Sequence, residues 1–82
     1  MYKTIVTSPS GEKFWAYRVS WKEVVEACGT SRAAMKNDAF DEYDYNKVVE
    51  WLISHGAESW VRAAHGGIVD DQGWTFVGPK VQ

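Results

Sequence analysis

Hydrophobic and polar positions alternate from Phe14 to Trp21. Trp15, Tyr17, Val19 and Trp21 fall on one face of an extended strand, and Phe14, Ala16, Arg18 and Ser20 on the other. Tyr2–Thr7 is rich in β-formers, and Ser8-Pro9-Ser10-Gly11 between the two runs has turn chemistry, because proline presets φ and glycine accepts φ > 0. The first twenty residues therefore predict a β-hairpin whose aromatic face looks into a core. From Trp21 the period changes. Trp21, Val24, Val25 and Cys28 lie at i, i+3, i+4 and i+7, one apolar stripe of a helix. Ser20 with Glu23 three residues on has the capping-box spacing, and Gly29 is placed to stop the helix.

Residues 30–37 predict a short second helix capped by Thr30 or Ser31. The tract NDAFDEYDYN that follows is polar and aromatic together and reads as a loop. A third helix carries its buried stripe on Tyr45, Val48, Val49, Leu52 and Ile53, with Asp44 as its cap, Tyr43 stapling onto Val48, Trp51 at the edge of the stripe, His55 in the last turn and Gly56 as the stop. Ala57–His65 fits two descriptions. Trp60, Val61 and Ala64 suit a helix face, and a strand through Ser59–Ala64 suits a glycine-ended helix-to-strand connection; we take the strand as the expectation. Ile68-Val69, the turn Asp70-Asp71-Gln72-Gly73 and Trp74–Val77 make a second hairpin. The order is ββαααββ, a small α+β domain spanning residues 1–82, with helices packed on one face of an antiparallel sheet of two hairpins.

The 82 residues support one small core and no second domain. The longest stretches without a charged residue, Thr4–Gly11 and Gln72–Pro79, are too short for a membrane span, which needs about 20 apolar residues. A single cysteine, Cys28, rules out an internal disulfide framework and suits a reducing compartment, so the expected location is cytoplasmic. The net charge of −2 is unevenly spread. Residues 1–36 carry six cations against three anions, whereas residues 37–60 carry Asp38, Asp41, Glu42, Asp44, Glu50 and Glu58 against Lys47 alone. A net acidic domain lacks the strong basic field of most nucleic-acid binders, and its acidic segment suits a basic partner surface.

Motifs for chemistry are scarce. The chain has no nucleotide-cradling glycine loop and no C-x-x-C or H-x-x-x-H spacing, so neither cofactor nor metal is expected. Cys28 sits on a buried stripe, and Asp70-Asp71 reads as turn chemistry rather than an acid/base pair. His65-Gly66-Gly67 lacks the G-x-S-x-G that would make it an oxyanion loop. The expectation is a protein without catalysis.

Ser20–Asp38, SWKEVVEACGTSRAAMKND, resembles a helix-turn-helix, with Gly29 at the turn, Ser31 opening the second helix and Met35 pointing inward. The resemblance implies a DNA-binding protein with Arg32 and Lys36 facing the groove or phosphates. Val25 and Thr30 depart from the motif, which favours alanine and an apolar residue there, and the following sequence turns acidic. The favoured reading is a binding protein that occludes or bridges a macromolecular partner with a basic surface. Small size, an acidic tract and missing chemistry fit the class of phage or mobile-element inhibitors of nucleic-acid machines, anti-CRISPR proteins among them. Its expected contact residues are Asp38, Asp41, Glu42, Tyr43, Asp44, Trp51 and Trp60, since exposed aromatics beside charge anchor interfaces.

Overall fold

The computed structural model describes residues 1–29, 42–64 and 67–82. Strands β1 (Tyr2–Thr7) and β2 (Lys13–Ser20) form the first hairpin, and β3 (Ile68–Asp70) and β4 (Gly73–Lys80) the second. The two hairpins join through β2 and β4 into one antiparallel sheet of order β1-β2-β4-β3. Helices α1 (Trp21–Cys28) and α2 (Glu42–Ser54) and a 3-10 helix at Ser59–Ala63 pack with it. The α+β class and the two hairpins are those expected from the sequence; the predicted helix at 30–37 lies outside the described residues.

Alternation in β2 places Tyr17 and Val19 in the core, with Val24, Val48, Val49, Leu52, Val61, Trp74 and Phe76 against them. Full burial of one such aliphatic or aromatic side chain is worth about 1.5–3 kcal/mol, so this cluster holds the layers together. Tyr45 packs on Trp74 and Phe76 with ring centroids 6.0 and 5.5 Å away. Burial pushes its phenol pKa up. On the outer face Ala16 is buried between its cross-strand neighbours Thr4 and Val77.

The predicted caps of α1 are present. Glu23 N–H donates to the Ser20 hydroxyl at 3.2 Å and Ser20 N–H donates back to the Glu23 carboxylate at 3.0 Å. Gly29 closes the helix in the left-handed conformation (φ 69°).

Four expectations need correction. Helix α2 begins at Glu42, so Asp44 lies inside its first turn, buried at 5% exposure, rather than at the cap. The same helix ends at Ser54, and His55 follows it with Nδ1 2.8 Å from the Trp51 carbonyl. Ser59–Ala64 is not a strand. Val61 N–H donates to Glu58 O and Ala64 N–H to Val61 O, the i to i+3 pattern of a 3-10 turn, and Val61 and Ala64 are buried at that spacing. The segment packs on β4, whose free edge is already taken by β3. Finally, Trp15 and Trp21 are half-buried rather than enclosed. Trp15 lies under the Lys3 ammonium, and Trp21 Nε1 donates to the Asp70 carbonyl at 3.0 Å.

At its far end β4 slips register. Ala16 faces Val77 and Phe14 faces Lys80, so β4 spends three residues where β2 spends two. Gly78 and Pro79 occupy the bulge, a place where proline's missing N–H is tolerated. Beyond it Val81 N–H reaches the Lys13 carbonyl at 2.8 Å and Lys80 pairs with Glu12 at 2.9 Å.

Candidate interaction site

Trp60 lies in the 3-10 helix, and its ring rests over Gly78 of the bulge. A Cβ on Gly78 would stand 2.3 Å from two carbons of that ring, so only glycine permits the approach. Trp60 also meets Tyr17 of β2, centroids 5.3 Å apart. Its indole N–H donates to the Glu58 carboxylate. The backbone N–H of Glu58 donates to the Tyr17 hydroxyl at 3.2 Å, which fixes the start of the 3-10 turn against the sheet.

The second carboxylate oxygen of Glu58 takes a 2.8 Å ion pair from Lys3 of β1. The same ammonium sits 4.4 Å above the centre of the Trp15 ring, a cation–π contact. Lys3 and the Trp60 indole N–H together hold the Glu58 carboxyl below the usual carboxylate range. β1, β2, the 3-10 helix and the β4 bulge thus converge on one aromatic and ionic cluster. Beside it opens a cleft of about 340 Å³, lined by Trp60, Ala63, Ala64, Val77, Gly78 and Pro79.

Of the residues singled out in the sequence, Trp60 belongs to this cluster. Trp51 is half-buried on α2 and stacks on His55 with centroids 4.0 Å apart. Asp44 is enclosed in the first turn of α2, so it presents little surface to a partner. Glu42 and Tyr43 lie in that same turn. Asp38 and Asp41, and Arg32 and Lys36 of the helix-turn-helix reading, lie outside the described residues. Lys3, Tyr17, Glu58, Gly78 and Pro79 were not anticipated. The one local hint was Glu58 two positions before Trp60; the other partners come from strands far away in sequence.

Asp70 and Arg18 serve the scaffold. The Asp70 carboxylate accepts from Gln72 N–H at 2.8 Å and Gly73 N–H at 3.1 Å, as the turn reading requires. Those bonds, with Arg18 nearby, hold its carboxyl below the ordinary range. Arg18 also donates to Thr75 Oγ1 at 3.0 Å. Cys28 packs against the core at the end of α1. Among the described residues no three His, Cys, Asp or Glu side chains converge as a metal site would require, and no helix is long and apolar enough to cross a membrane. No family model, curated protein or solved structure matches the chain.

Proposed function

We propose that this protein is a non-catalytic binding module that occludes or bridges a macromolecular partner with a basic surface. The observation that carries the reading is the Trp60 cleft: an indole held over a glycine, apolar walls, and the Glu58 carboxylate bonded to that same indole. Such a site suits a lysine or arginine side chain. The aliphatic stem lies along Trp60 and Pro79 while the charged head stays near Glu58, which is 48% exposed. The acidic tract from Asp38 to Tyr43 supplies further negative charge, and Trp51 a second aromatic anchor on α2. A compact domain acting by occlusion fits the mode of small phage or mobile-element inhibitors of nucleic-acid machines, the class that includes anti-CRISPR proteins.

The test is affinity capture from native lysate followed by mass spectrometry, run in parallel on the wild type, Trp60→Ala and the double variant Asp41→Lys/Glu42→Lys. The expected result is a basic partner retained by the wild type and lost at least tenfold by either variant, with circular dichroism unchanged. Equal capture by all three proteins overturns the surface.

A further inference from the structure

Among the described residues the exposed large hydrophobics are Tyr2, Ile5, Ile68 and Val69, and all four lie on the two edge strands. The edges differ in how they are guarded. β3 is three residues long and is closed by Asp70 with Asp71 beyond it. β1 is six residues long, contains no proline and no carboxylate, and has one charge, Lys3. A lysine normally protects an edge by holding its charge in solvent beside the open backbone. Here the ammonium is drawn onto the helix-covered face, bound to Glu58 and resting on Trp15. The outer row of backbone N–H and C=O groups of β1 is thus left without its usual guard.

The geometry points to β1 as a self-association edge whose occupant is β1 of a second copy, paired antiparallel to make one continuous eight-stranded sheet. A two-fold axis perpendicular to the sheet maps each face onto itself, so a residue can oppose only one of like parity. Tyr2, Thr4 and Val6 lie on the outer face, opposite Arg18, Ala16 and Phe14. Lys3 and Ile5 lie on the inner face, opposite Tyr17 and Trp15. With the axis at Thr4, Thr4 meets Thr4, Tyr2 meets Val6 and Lys3 meets Ile5 of the other copy. Threonine pairs and aromatic–β-branched pairs are favourable cross-strand neighbours, and no like charges stand directly opposite.

The same axis reverses any direction lying in the sheet plane. The two Lys3–Glu58 pairs therefore run in opposite directions across the joined sheet. One strand of contact buries less than the about 1,200 Å² at the low end of stable interfaces, so the dimer is concentration-dependent. Both Trp60 clefts lie on the same side of the joined sheet. This inference does not rest on the proposed partner.

Sedimentation velocity on the full chain, from about 10 μM to about 1 mM, tests it. The expected result is a monomer passing to a dimer with rising concentration. Thr4→Asp places two carboxylates on the axis and raises the dissociation constant at least tenfold. Tyr2→Asp, at a 59% exposed position, does the same without touching the core. Val69→Asp on the opposite edge leaves association unchanged. Circular dichroism of each variant matches the wild type. A monomer at every concentration, a dimer insensitive to both β1 variants, or one lost with Val69→Asp overturns the assignment.

Discussion

Gly78 is the residue on which the Trp60 site turns. No side chain fits beneath the indole, because a Cβ would overlap the ring at 2.3 Å. Gly78→Ala therefore forces Trp60 off the sheet or bends the bulge. Overpacking of this kind costs about 1–3 kcal/mol. Urea denaturation should show that loss, and the tryptophan emission of the folded variant should shift to the red as the indole gains water. An unchanged spectrum and midpoint would mean that the ring is not seated on the glycine. Tyr17 also packs on Trp60, and its hydroxyl anchors the Glu58 amide. The site is thus assembled where the 3-10 helix, carrying Trp60 and preceded by Glu58, meets Tyr17 and Gly78 of the sheet.

Among the elements, α1 owes its start to a local device. Ser20 and Glu23 satisfy each other's backbone amides, and Glu23 also takes the Met1 ammonium. Ser20→Ala removes the side-chain acceptor and should cost about 1 kcal/mol. In a domain of this size that lowers the melting temperature by about 4–8 °C, measurable by calorimetry. This device was readable in the sequence because its parts are three residues apart. The hairpins were readable for a similar reason, through alternation and turn residues. The 3-10 helix was not. Trp60, Val61 and Ala64 fit helix or strand by pattern, and the choice falls to the Tyr17 hydroxyl and the Gly78 floor, both distant in sequence. Asp44 misled in the same way. A carboxylate in an acidic tract reads as surface, yet tertiary packing encloses it. Of the site, the composition drew attention to Trp60 alone; Lys3 and Glu58 are 55 residues apart, and no local pattern could join them.

For the molecule as a whole, acid is the condition that should loosen it. Burial works against ionisation of Glu23, but the Met1 ammonium, the Ser20 amide and the Ser20 hydroxyl prevail and hold its carboxyl below the ordinary range. Glu58 and Asp70 are depressed as well. Each of these groups binds its proton less readily when folded than when unfolded. Their contribution to stability is complete above the ordinary carboxylate range and drains away as pH falls through the depressed folded values. Urea midpoints measured against pH should be level near neutrality and decline in acid. Glu23→Gln should flatten part of that decline while lowering the neutral midpoint; an identical slope in the variant would remove Glu23 from the account.

The stretch beyond the β4 bulge has a bearing on how the sheet comes apart. Val81 and Lys80 fasten back onto Lys13 and Glu12 at the foot of the first hairpin. That corner is latched from two directions, whereas the short β3 strand pairs with β4 alone and is held elsewhere only at its end residue Asp70, by Arg18 and Trp21. Fraying should begin at β3 and spread inward, leaving the latched corner as the last part of the sheet to yield.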